Sequence, residues 1–150
     1  MSLALIVVAV ALLLCLSIAI WIKHTRDQQT LERHSITAEA LHTVLVSDHD
    51  ILLLDVRQPL DLLADAEIIP GAKRIPPREI LENPSLIPTE KDAVAYCTCP
   101  GDKTARAVIH RALALHFDRV KFLKGGLAAW KAKGYPVQPY ADSFHLDTAS

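Results

Sequence analysis

Cysteine is scarce in this chain, with only Cys15, Cys97 and Cys99 among 150 residues. One lies in an apolar segment and the other two are separated by a single residue, so they cannot build a disulfide framework, and a reducing compartment fits better. Neither sign of charge is in excess. A net charge of -1 gives no reason to expect a nucleic-acid partner. The seven histidines show no paired spacing, and a zinc site needs about four ligands, so the Cys97-x-Cys99 pair does not read as a metal site. Charge is missing altogether from Ser2 to Ile22. A basic residue before that run and a small-x-small site after it are missing too, which favours an anchor over a cleaved signal peptide. Leu14 stands before Cys15 where a lipoprotein would need a small residue, so Cys15 reads as a membrane-packed thiol.

As a helix rising about 1.5 Å per residue, Ser2 to Ile22 spans roughly 30 Å, the thickness of a bilayer's hydrocarbon core. Residues 1–22 are therefore predicted to form a transmembrane helix, with Trp21 at the interface. Lys23, Arg26 and Arg33 follow, and no Lys or Arg precedes the run. The positive-inside bias then predicts a single-pass cell-membrane protein whose C-terminal part is cytoplasmic. Residues 23–34 read as a polar linker, helical or flexible. The rest has room for one ordinary domain, residues 35–139, and a tail, 140–150, too mixed to interpret.

Within that domain strands alternate with helices. Thr37 caps a helix bearing Ala40, Leu41, Val44 and Leu45 on one face, and Asp48, His49 and Asp50 make a turn. Ile51 to Leu54 form a continuous apolar run typical of a strand covered on both faces, ending at Asp55, Val56 and Arg57. Pro59 opens a short helix with Leu60, Leu62 and Leu63 as its apolar side, and Pro76 and Pro77 open another after an extended piece at Arg74 and Ile75. Leu81 to Pro88 is an irregular connection. Ala93 to Tyr96 is a strand, Lys103 to Phe117 a helix, Val120 to Leu123 a strand, and Gly125 and Gly126 precede a last helix that ends at Gly134. Such alternation predicts an α/β domain with a central parallel sheet, whose reactive groups gather at the carboxyl ends of strands.

Cys97 stands at such an end. The following loop, Thr98, Cys99, Pro100, Gly101, Asp102, Lys103 and Thr104, is polar and turn-forming, out of place around an inert core thiol. A loop entering a helix N-terminus turns amide N–H groups inward, and that field lowers a thiol's pKa. Against this stands the plain alternative that a strand-closing Cys is a small buried hydrophobe. Asp55 and Arg57 are read as an ion pair that either braces this loop or is purely structural. His110 and His116 are read as surface or helix-end residues.

Several segments in order resemble the rhodanese domain, the sulfurtransferase module: Leu54-Asp55-Val56-Arg57 with Pro59 and Asp61, Ile69-Pro70-Gly71-Ala72, Tyr96-Cys97 with its loop, Lys124-Gly125-Gly126-Leu127 with Trp130, and Gly134-Tyr135-Pro136-Val137. The resemblance implies a three-layer α/β/α fold and a persulfide-forming cysteine at Cys97. Glu67 and Ile68 replace the Gly-His that many members carry before the second segment, and the cysteine loop is about one residue longer than usual. A longer loop is a feature of phosphatase and arsenate-reductase relatives, which use a loop Arg to grip an oxyanion. Here Arg106 lies past the loop and only Lys103 falls inside it, so that reading ranks below sulfurtransferase.

The implied reaction takes sulfane sulfur from a small donor such as thiosulfate onto Cys97 and passes it to a thiol or cyanide-like acceptor, with no metal or cofactor. Amides of Thr98 to Thr104, Pro100 excepted, hold the sulfur anion, with Lys103 and the Thr104 hydroxyl as further donors or, for Lys103, a solvated helix start. Cys99 is a resolving thiol, a second acceptor or a packed thiol. A non-catalytic, membrane-tethered binding module on the same fold is the alternative class.

Overall fold

A computed structural model of the chain describes residues 3–47 and 50–142. Asp48 and His49 of the expected turn, and residues 143–150 of the expected tail, lie outside the described residues. Two compact units are present, Met1–Arg33 and His34–Ser150.

The first unit is a single helix, α1 (Leu3–Arg33), of 31 residues. It does not stop at Ile22, because Lys23 to Arg33 contains neither Pro nor Gly and is built largely from good helix formers. The helix is long and apolar enough to cross a membrane, a description that an N-terminal signal sequence also meets. The Ser17 hydroxyl donates to the Leu14 carbonyl at 2.8 Å, so this polar side chain within the apolar run is satisfied by its own helix.

The second unit holds β1 (Ser35–Ile36), α2 (Ala38–Ser47), β2 (Leu52–Asp55), α3 (Pro59–Ala64), β3 (Glu67–Ile68), β4 (Lys73–Arg74), α4 (Pro77–Glu82), β5 (Ala93–Tyr96), α5 (Lys103–Ala114), β6 (Val120–Leu123), α6 (Gly126–Ala132) and β7 (Gln138–Pro139). Strands β1, β6, β5, β2 and β4 lie in that order in one sheet, all parallel, while β3 and β7 make a small antiparallel ribbon. Successive strand residues face opposite ways. Leu53, Val94, Tyr96 and Leu123 meet Leu41 of α2 and Leu127 and Trp130 of α6. On the other face Phe122 lies under Arg106 of α5, whose Ala105, Val108, Ile109 and Ala112 are buried. Three layers result, and burial on both faces explains why β2 and β5 are uninterrupted apolar runs.

Two expectations change. The helix predicted to reach Phe117 ends at Ala114, because His116 turns left-handed at φ 61 and the amides of His116 and Phe117 close on the carbonyls of Leu113 and Ala112. In α3 only Leu62 is buried, while Leu60 and Leu63 are 72% and 56% exposed, since a six-residue helix has too few turns to offer the core a full stripe.

The largest charged group in the core is Arg57, fully buried against Asp55 at 2.6 Å. Its guanidinium also donates to the carbonyls of Asp65 at 2.7 Å and Glu67 at 2.9 Å, so the pair fixes the chain from β2 to β3 and not, as one reading had it, the cysteine loop. Burial works against the Arg57 charge, but Asp55 holds its pKa raised. Removing the cation would strand a buried carboxylate. Arg57→Ala is therefore expected to cost about 3–5 kcal/mol in denaturant unfolding of the detergent-solubilised protein; a loss under about 1 kcal/mol, the range of an exposed pair, would contradict this account.

Candidate active site

Strand β5 is buried throughout and delivers Cys97, 1% exposed, to the carboxyl edge of the sheet. The main chain there is fastened from outside. The Cys97 carbonyl accepts the Leu127 N–H at 3.1 Å, and Gly126, at φ +55, lies so close that a Cβ would fall 2.0 Å from that carbonyl oxygen. No side chain fits between them. A second fastening comes from Asp102, itself left-handed at φ 56 and buried, whose carboxylate accepts the Gly125 N–H at 2.9 Å. The start of α6 is thus tied to the cysteine loop at both ends.

Between these ties the loop turns back on itself. Pro100–Asp102 form one turn of 3-10 geometry, with Gly101 left-handed at φ 67 and the Asp102 N–H on the Cys99 carbonyl at 3.1 Å. Cys99 is extended, with φ -72 and ψ 147, and its Sγ lies 2.8 Å from that of Cys97. The Thr104 N–H donates to Cys99 Sγ at 3.2 Å, and the Thr104 hydroxyl lies 3.4 Å from the same sulfur. The two thiols and Thr104 therefore form one connected group.

Its electrostatics differ from the expectation for Cys97. Burial, with the neighbouring Cys99, pushes the Cys97 thiol up to about 12, against the lowering effect of the Ala105 and Cys99 amides. Burial also raises Cys99, but the Cys97 thiol and the hydroxyl and amide of Thr104 outweigh it and bring Cys99 down. One shared proton explains both directions: the pair gives up its first proton readily and holds its second. First-turn amides of α5 reach both sulfurs, Ala105 that of Cys97 and Thr104 that of Cys99, but only at Cys99 does the lowering prevail.

The expected site residues thus separate. Cys97, Cys99 and Thr104 are brought together; Asp102 turns its carboxylate to Gly125 and serves the loop's anchorage, not a ligand. Thr98, Pro100 and Gly101 are exposed. Lys103 is exposed too, and with Thr104, Gln58, Pro77, Arg78 and Leu81 it lines a groove of about 420 Å³ in which neither cysteine takes part. Asp55 reaches the site only through Tyr96, whose hydroxyl bonds to it and accepts the Ile69 N–H at 3.3 Å; burial and Asp55 raise the Tyr96 phenol and keep it neutral. The Ala105 amide was not foreseen, although a helix beginning at Lys103 leaves its first-turn N–H groups free for such use. Nor was Gly126 foreseen as a contact of Cys97. Among the described residues no three His, Cys, Asp or Glu side chains gather into a metal-binding group.

Comparison with known proteins bears on the family and the fold. The family model described as Rhodanese-like domain matches residues 37–133. A protein of Allochromatium vinosum named Sulfurtransferase is 32% identical over 104 residues, covering 69% of this chain and 94% of its own length. The crystal structure of a rhodanese-related protein from Thermoplasma volcanium has a TM-score of 0.57 at 27% identity, covering 70% of this chain and 97% of its own. The solution structure of a rhodanese-like domain from Anabaena sp. has a TM-score of 0.60 at 26% identity, covering 78% and 92%. On the fold, the position of Cys97 and a family match over most of the second unit, the chain belongs to the rhodanese-like domain family.

Proposed function

We propose that the protein is a sulfurtransferase that carries sulfane sulfur as a Cys97 persulfide. The observation that supports this most is the contact between Cys97 and Cys99, at 2.8 Å, with the Ala105 amide reaching the Cys97 sulfur. Cys97 alone is a poor nucleophile, buried and raised to about 12. Cys99 in contact gives it a base: the Cys97 proton crosses to the Cys99 thiolate as Cys97 attacks the outer sulfur of a donor such as thiosulfate. A sulfur–sulfur bond forms, the bond to the sulfite group breaks, and sulfite leaves with its electron pair. The amides of Ala105 and Cys99 then stabilise the persulfide anion, until an acceptor thiol or cyanide-like nucleophile takes the outer sulfur and Cys97 departs as thiolate.

The burial of Cys97 is the one observation that favours a non-catalytic binding module instead. For a phosphatase-type reaction the groups are poorly placed, since the Arg106 guanidinium lies 5.1 Å over the Phe122 ring against the sheet and Lys103 is the loop's only cation. Lys23, Arg26 and Arg33 support placing the domain on the cytoplasmic side of the membrane that α1 would cross.

Mixing the detergent-solubilised protein with thiosulfate is expected to release roughly one sulfite per chain in the first turnover, and Cys97→Ser to lower that release about a hundredfold or more. Equal release by the variant would remove Cys97 as the nucleophile, and no release by wild type would leave the binding-module reading standing. The rate depends on the ionised pair, whose first proton is released more readily than that of an ordinary thiol, so it rises with pH with a midpoint below that of a free cysteine. Cys99→Ser removes the thiolate that takes the proton and leaves the rise to Cys97 itself, whose burial outweighs the amides of Ala105 and residue 99, so the rise moves to higher pH; an unchanged profile would remove Cys99 as the base. For topology, a membrane-impermeant thiol reagent applied to intact cells should spare Cys99 until the membrane is opened. Labelling of Cys99 from outside would reverse the orientation.

A further inference from the structure

Sulfur transfer needs one thiol, and this loop holds two in contact. Cys99 is fixed against Cys97 by the Thr104 amide and flanked by the Thr104 hydroxyl, and the left-handed turn at Gly101 and Asp102 brings the chain back toward the helix start. The only other cysteine, Cys15, belongs to the apolar helix of the other unit. Displacement at sulfur requires the attacking and leaving groups on opposite sides of the central atom. Cys99 Sγ lies 2.8 Å from Cys97 Sγ, so once Cys97 carries an outer sulfur on its far side, its own Sγ is the atom within reach of Cys99.

We infer that Cys99 is a resolving thiol, which attacks Cys97 Sγ in the loaded protein, closes a Cys97–Cys99 disulfide and releases the outer sulfur as hydrosulfide. This rests on the sulfurtransferase reading above and adds an activity to it. In the step, the Sγ–Sγ bond forms and the bond from Cys97 Sγ to the outer sulfur breaks. The electron pair leaves with that sulfur, which falls from the sulfane to the sulfide level while each cysteine is oxidised by one electron. The proton that Cys99 took from Cys97 during loading goes to the departing sulfur. Two equivalents of a low-molecular-weight thiol reopen the bridge and leave as their own disulfide. Over a cycle, a sulfane donor and two thiols become sulfite, hydrosulfide and a disulfide.

The test is a single turnover of the full chain in detergent, with thiosulfate and no added thiol, reading sulfite, hydrosulfide and protein mass together. Wild type is expected to give about one hydrosulfide per sulfite, to become lighter by two hydrogen masses, and to hold Cys97 and Cys99 in one peptide that resists alkylation until reduced. In Cys99→Ser the ratio of hydrosulfide to sulfite should fall below about a tenth, with one sulfur mass retained on Cys97 and released to cyanide. Sulfite without hydrosulfide from wild type, with the extra sulfur mass stable on either cysteine, would overturn the inference while leaving the sulfurtransferase reading intact. No sulfite from wild type would remove that reading, and this one with it.

Discussion

The site depends on how closely the start of α6 approaches the Cys97 carbonyl. That approach is allowed because residue 126 has no side chain, and it is held by the Leu127 N–H on the carbonyl and the Gly125 N–H on Asp102. The main chain of the cysteine loop is therefore fixed before any substrate arrives, at the edge of a strand that is itself buried on both faces. Preorganisation of this kind is what lets amide dipoles act on a sulfur anion without first being ordered. The same rigidity sets where the second thiol must lie, since only the short segment from Thr98 to Gly101 is left to turn.

Fixing a thiol in a core has an electrostatic cost, because burial favours its neutral form. An amide or two offsets part of that cost, but for Cys97 burial wins. The arrangement divides the work between two sulfurs. Cys97 has the protected position where a persulfide would be shielded from stray nucleophiles, and Cys99 has the helix-start donors and the half-exposed position where charge is cheaper. Neither residue alone combines a low pKa with that shelter. Cys99, the thiol whose pKa is lowered, is also the less buried of the two.

Much of the fold was legible because its physics is local and repetitive. Ile51 to Leu54 and Ala93 to Tyr96 are apolar without alternation, which only burial on both faces explains, and the prolines at 59 and 77 begin helices where their missing N–H costs nothing. What could not be read is non-local. Asp102 was read as one amide donor of the loop among others; the partner of its carboxylate, Gly125, is 23 residues away and announces itself only by φ and proximity. Arg57 likewise spends its donors on two carbonyls that no spacing rule identifies. The meeting of Cys97 and Cys99 was within reach of the sequence, because residues two apart in extended chain share a face, and Cys99 is extended. Without the turn behind it, however, nothing in C-x-C says that the second thiol is held there.

The turn behind Cys99 also limits what else the loop can hold. In an oxyanion-binding loop, extra length makes room for a guanidinium and a ring of amides around a tetrahedral group. Here the loop's groups are taken up differently: the Asp102 amide is spent on Cys99, the Asp102 carboxylate on Gly125, the Thr104 amide on the Cys99 sulfur, and Arg106 turns to Phe122. Donors already committed in this way cannot also surround a phosphate-like anion without dismantling the turn. Groups committed in this way are more compatible with chemistry at sulfur, where a neighbouring thiolate can act as base, nucleophile or both.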